Sequence, residues 1–170
     1  MAVDAARFRA LFGSFPTAVT VVTATDANGR PRGLTCNAVS AVSVDPPLLL
    51  VCVHRNARTL AALRHSGAFV VNVLADGGQD TARVFADRSE HKFAGVEWVP
   101  SVNARGAPVL VDVALAHAEC VVVRTVEAGD HWIFIGRVEH AESYPRSPVL
   151  YHRGAFTVWD AQARQVGSPP

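Results

Sequence analysis

The sequence predicts a mainly β protein in which about six antiparallel strands close as a Greek-key barrel, with few helices. Three observations point there. β-branched and aromatic residues gather in short runs such as AVTVVTAT, LLLVCV and AFVVNVL. Glycine-containing turns separate successive runs, as at Asn28-Gly29 and Ala128-Gly129-Asp130. Only three short stretches carry helical spacing, and a small sheet of this kind hides its edges by closing on itself.

Each element has a local cause. Asp4 caps a short helix to Phe12, with Phe8, Leu11 and Phe12 on one face and Gly13 as its stop. A strand from Ala18 turns at Asn28-Gly29 into RGLTCNAVSAVSV, whose alternation breaks near Asn37, the mark of a bend or bulge. Pro46-Pro47 precedes the buried strand LLLVCV. ARTLAALRHSG forms a helix with Leu60 and Leu63 inward and Gly67 at its end. AFVVNVL is a strand, Asp80 to Phe85 a helix, and Ser89 to Gly106 a polar loop or lid. Two long strands then meet at Gly129-Asp130, and VLYHRGAFTVW adds short strands. Residues 1–160 are expected to form one domain, with 161–170 a flexible tail.

Composition excludes several function classes. Of 170 residues 49% are apolar and 18% charged, so a packed core is affordable and disorder is not expected. A net charge of +1 with scattered arginines gives no reason to bind nucleic acid. No leader or apolar run of about 20 residues is found, so no membrane partner is expected. Cys36, Cys52 and Cys120 are odd in number and far apart, which argues for a reducing, cytoplasmic setting and against zinc. His117 and Glu119 alternate on one strand and read as a solvated or interfacial face, so no metal is expected. Dinucleotide, phosphate-loop, nucleophile-elbow and zinc-protease motifs are all missing, so any chemistry would belong to a bound cofactor.

Four groups of residues suit a cofactor. Thr35, Asn37, Ser40 and Ser43 collect at the break between two strands, with Gly33 for close backbone approach and small Cys36 and Ala38 beside them. These offer partners to a phosphate and to the polar edge of a flavin; a bulged strand meeting solvent explains them equally well. Arg55 and Arg58 bring charge to the start of a helix that Asn56 or Ala57 opens, an anion-attracting arrangement that is also an ordinary helix start. Lys92, the one lysine in the chain, sits beside Phe93; the lysine suits a developing negative charge and the ring can cover a planar ligand, or both simply belong to a solvated loop. His131 opens a strand, where it can orient a nicotinamide or be an ordinary surface histidine, and Tyr151, Arg153 and Phe156 can flank a second aromatic ligand or pack as strand and turn.

Together FPTAVTVVT, GLTCNAVSAVSVDPP, LLLVCVHRNART, FVVNVL, HKFAG, GDHWIFIGRV and YHRGAF resemble, in order and spacing, the short-chain flavin reductase family. The resemblance runs from about Phe8 to Trp159. It implies a six-stranded antiparallel Greek-key split barrel (the FMN-binding split barrel) with a few flanking helices, working as a homodimer. It implies flavin contacts from Gly33, Leu34, Thr35, Cys36, Asn37, Ala38, Ser40 and Ser43, from Arg55, Asn56, Arg58 and Thr59, and from Lys92 and Phe93. It assigns the nicotinamide to His131, the catalytic candidate, and to Tyr151, Arg153, Gly154 and Phe156. The implied activity is hydride transfer from NADH, or NADPH, to FMN or FAD, with reduced flavin passed to a separate monooxygenase. Ala38 and Ala57 depart from the family pattern and remove two hydroxyl contacts. The rival expectations are an oxidase of the pyridoxamine-phosphate-oxidase type and a non-catalytic flavin- or haem-binding barrel.

Overall fold

A computed structural model of the chain describes residues 2–159. In chain order the elements are α1 (Ala5–Gly13), β1 (Thr17–Ala18), β2 (Thr20–Thr25), β3 (Pro31–Cys36), β4 (Val39–Ser43), β5 (Leu48–His54), α2 (Thr59–Ser66), β6 (Ala68–Leu74) and α3 (Gln79–Ala86). There follow β7 (Val99–Pro100), β8 (Pro108–Val109), β9 (Ala114–Ala128), β10 (His131–Ser143), β11 (Val149–His152) and β12 (Ala155–Val158). The expected tail, 161–170, lies outside the described residues.

The main sheet is antiparallel with order β3-β2-β6-β9-β10-β5-β4, so it has seven strands where six were expected. The extra strand arises at the break near Asn37. Cys36 and Val39 end and begin separate strands, and these strands occupy opposite edges of the sheet. Two residues span only about 10 Å from Cα 36 to Cα 39. The sheet therefore curls enough to bring the two edges near each other at Asn37-Ala38, where the backbone joins them; no β3–β4 ladder closes it into a barrel. The Ala38 carbonyl accepts from Cys52 N at 2.9 Å, and the Thr20 hydroxyl donates to the Cys36 carbonyl.

The curl encloses one core: Val22, Ala24, Cys36, Val51, Val53, Phe69 and Phe134, capped by Leu60 and Leu63 of α2. Val21, on the opposite face of β2, and Val19 just before the strand enter a second core with Leu74, Phe85, Leu110 and Val149. Both faces of β2 are thus buried, which is why its sequence is nearly continuous rather than alternating. Asn72 in the middle of β6 is fully buried, and satisfied: it donates to the Val21 and Pro108 carbonyls and accepts from Leu110 N at 2.8 Å. Ser89 to Gly106 is mostly irregular as expected, apart from the two-residue β7 that pairs with β8.

The helices follow their caps. The Asp4 carboxylate accepts from Arg7 N at 2.8 Å, and Gly67 ends α2 in the left-handed region at φ 60°. The expected start of α2 at Asn56 or Ala57 moves to Arg58, because His54 to Ala57 first form a turn (Ala57 N to His54 O, 2.8 Å). α1 buries none of its residues; Phe8 and Phe12 touch each other instead, ring centroids 4.7 Å apart. Among the described residues no helix is long and apolar enough to cross a membrane.

Candidate active site

The centre of the site is a pair of adjoining clefts sharing Arg32, Arg58 and Glu90. One, of about 350 Å³, adds Asp26, Ala61 and Ala62. The other adds Pro31, Gly33, Thr59, Ser89, Lys92 and Phe93. The elements that build it are the start of β3, the first turn of α2 and the loop after α3. Five sequence-expected residues therefore converge: Gly33, Arg58, Thr59, Lys92 and Phe93.

Lys92 has a dual position. Its ammonium donates to the Phe85 carbonyl at 2.7 Å and to the Gly33 carbonyl at 3.2 Å, pinning the loop to α3 and β3. Burial holds its pKa below the ordinary lysine value. An ammonium has three donors, so one is left for a ligand. Phe93 packs edge-on against Phe85, centroids 4.9 Å apart, and belongs to the second core as well as the cleft wall. Arg58 meets Glu90 at 3.4 Å and Arg32 meets Asp26 at 2.9 Å. The Arg58 pair is exposed and worth about 0–1 kcal/mol, so an anion can take the guanidinium from Glu90. Asp26 is held below the usual carboxylate range by the Arg30 N–H first, with Arg32 adding to it.

Several expected ligands have other duties. A Cβ on Gly33 would lie 2.6 Å from the Phe85 ring, so this glycine makes room for a core aromatic rather than for a cofactor. Thr35 donates its hydroxyl to the Ala82 carbonyl at 2.6 Å. Leu34 packs on the first core. Cys36 is buried, and burial pushes its thiol up to about 11; Cys120 is likewise pushed to about 12. Both thiols stay protonated at neutral pH. Asn37, Ala38 and Ser40 are exposed at the joined edges and on β4, with Ser43 half-buried beside them, and none lines the clefts.

A second cluster lies where β5 ends at His54, four residues before Arg58. His131 Nδ1 is 2.7 Å from Asp130 Oδ1, and His54 Nε2 is 3.7 Å from Asp130 Oδ2. The imidazoles stand edge to face, centroids 5.1 Å apart, because β5 and β10 pair His54 with His131. A carboxylate only accepts, so the proton of neutral His131 sits on Nδ1 and Nε2 is free to face a ligand. His54 Nδ1 accepts from Asn56 N at 3.0 Å, so its proton sits on Nε2, toward Asp130. Hydrogen bonding to His131 holds the Asp130 carboxyl below its ordinary value, and His54 adds to this. Arg55 and Asn56 are exposed here, and Arg55 N donates to the Asp130 carbonyl at 2.9 Å. Neither His131 nor these neighbours line the clefts.

Tyr151 and Phe156 pack together on the second core, centroids 5.4 Å apart, and Arg153-Gly154 form the positive-φ turn between β11 and β12. Sequence reasoning missed Asp26, Arg32, Ser89 and Glu90 of the clefts, and His54 and Asp130 beside His131. Adjacency to Gly33, Lys92 and His131 was the available signal. His117 and Glu119, expected on a solvated or interfacial face, are both buried in the chain, and the Asn103 N–H donates to Glu119 at 2.6 Å.

A family profile described as flavin reductase like domain matches residues 12–160. The chain is 44% identical over 162 residues to a flavin reductase (NADH) of Kitasatospora aureofaciens, covering 94% of this chain and 84% of that protein. It is 41% identical over 157 residues to HsaB, the reductase subunit of a flavin-dependent monooxygenase in Rhodococcus jostii, covering 92% and 78%. Among solved structures, the Streptomyces globisporus NADH:FAD oxidoreductase SgcE6, in complex with NAD and FAD fragments, superposes with TM-score 0.87 at 40% identity, covering 96% of this chain and 99% of that one. Against a longer Sinorhizobium meliloti oxidoreductase the chain spans 53% of the length, with TM-score 0.85, 41% identity and 91% of this chain covered.

Proposed function

The chain belongs to the flavin reductase-like family, and on that premise we propose that it uses a reduced nicotinamide nucleotide to reduce FMN or FAD and passes the reduced flavin to a partner monooxygenase. The observation that carries the reading is the cationic cleft of Arg32, Arg58 and Lys92 walled by Phe93; His131, held by Asp130 in a separate cluster, adds a second candidate ligand group. The residues present fit the phosphate end of a flavin nucleotide: Arg32, Arg58 and Lys92 supply cations, Phe93 lies beside them, and Arg32 and Arg58 also line the open cleft of about 350 Å³ next to it. A bound flavin would supply the hydride-accepting ring, and no protein nucleophile is needed.

Lys92 then serves twice, fixing the loop with two N–H groups and offering a third to charge that develops on a ligand. Arg58 binds the phosphate end after leaving Glu90. His131 orients the nicotinamide through Nε2, with Asp130 and His54 fixing its ring. Exposed Asn37, Ala38 and Ser40 supply the edge contacts that Thr35 and Cys36 cannot. The curl that brings both sheet edges to Asn37-Ala38 supports the split-barrel reading. The exposed aromatic face of α1 and exposed Val42 and Val44 support a homodimer, which sedimentation of the purified chain tests. A cytoplasmic location fits the protonated, unpaired cysteines.

The deciding experiment is steady-state oxidation of NADH and NADPH with FMN, FAD and riboflavin in turn. Turnover that depends on added flavin is expected; nicotinamide oxidation indifferent to flavin overturns the reading. His131→Ala should lower nicotinamide turnover more than flavin binding, and equal loss of both removes its assigned role.

A further inference from the structure

At the far end of the β9–β10 hairpin, four titratable side chains form a square. The ladder sets Glu142 opposite His117 and His140 opposite Glu119, and residues two apart on a strand share a face. All four therefore point to one side of the sheet, two imidazoles and two carboxylates. Among the described residues neither carboxylate is paired with a lysine or arginine. One ring nitrogen each from His117 and His140 and one Glu142 oxygen lie within 4.8 Å of one another.

The buried member is already oriented. The Tyr144 hydroxyl is 3.2 Å from His117 Nδ1, the two rings are stacked, and Glu119 Oε1 is 3.8 Å from His117 Nε2. Whichever nitrogen takes a cation, the other keeps an oxygen partner, the usual way a ligating histidine is held. His140 and Glu142 are exposed and leave open positions for water or for Glu119.

We propose that His117, His140 and Glu142 form a site for a divalent transition metal, with zinc as its natural fit, clamping the open end of the β9–β10 hairpin. Two imidazoles and one carboxylate suit zinc better than calcium or magnesium, which take oxygen ligands. The site does not rest on the reductase reading. His140 is nine positions along β10 from His131, roughly 30 Å at about 3.3 Å per residue. The absence of cysteine pairs, which argued against zinc from sequence, does not bear on a site of this composition.

The test uses the full, tag-free chain stripped with EDTA and titrated with zinc chloride by calorimetry, with bound metal measured after gel filtration. One zinc per chain is expected, with a melting temperature raised by the metal. His140→Ala and Glu142→Gln, at exposed positions that should fold normally, are each expected to weaken binding at least about tenfold. Their melting temperatures should no longer respond to zinc. Flavin-dependent turnover of the metal-free variants should equal that of the metal-free parent, showing that they are folded. Absence of stoichiometric zinc overturns the proposal. Zinc retained undiminished by the double variant also overturns it, placing the metal elsewhere, as at His54, Asp130 and His131.

Discussion

β3 and β4 are cut from one short stretch, Pro31 to Ser43, and share small and hydroxyl residues, yet they use them differently. In β3 three distinctive groups are used inward: Gly33 admits Phe85, Thr35 bonds the Ala82 carbonyl, and Cys36 fills the core. In β4 Ser40 bonds only the adjacent Ala41 carbonyl, and Ser40, Ala41 and Val42 are exposed. A hydroxyl is a ligand only if the fold has left it unspent. β3 thus uses its groups in packing, whereas β4, with Asn37 and Ala38, keeps exposed groups that the proposed function assigns to the ligand.

Four substitutions test that division, in falling order of expected effect. Gly33→Ala forces a Cβ into the buried Phe85 ring and should cost about 2–3 kcal/mol in urea unfolding. An unchanged midpoint would mean that the ring yields and β3 is not a packed wall. Lys92→Met leaves the Gly33 and Phe85 carbonyls without their donor and should cost about 1–2 kcal/mol, while also raising the flavin KM. A stability loss with flavin KM untouched would confine Lys92 to the wall. Thr35→Val should cost about 1 kcal/mol, with flavin binding by fluorescence little altered. Ser40→Ala reverses that pattern: stability should change by less than about 0.5 kcal/mol while flavin binds more weakly. If Ser40→Ala leaves binding intact and Thr35→Val weakens it, the division fails.

Local patterns made most elements legible. Asp4, Asn28-Gly29, Gly67 and Gly129-Asp130 each act through their own backbone or next neighbours, and each stands where its chemistry requires. The separation of β3 from β4 was legible only as a blurred alternation near Asn37. Its outcome, two opposite edges, depends on how five other strands are ordered. The same limit applies to the site. Gly33, Arg58, Lys92 and Phe93 stood out by type and position. Arg32 and Glu90 look like solvated charges until the first turn of α2 is brought against the loop after α3. His54 joins His131 through the β5–β10 register, which no local signal carries. The burial of Glu119 was not legible, because its hydrogen-bond partner, the Asn103 backbone, is sixteen residues away.

The link at Asn37-Ala38 also shapes how the protein assembles. Hairpins β2–β3 and β4–β5 need only nearby chain and can form early, but each is then one end of an open ribbon. β6, β9 and β10 must be laid between them in order before the short link is unstrained, so bringing the two edges together is a late, long-range event. A circular permutant opened between Asn37 and Ala38 would remove that constraint. It should fold at least as fast as the parent and unfold faster, the kinetic signature of a fastener engaged only after the rate-limiting step.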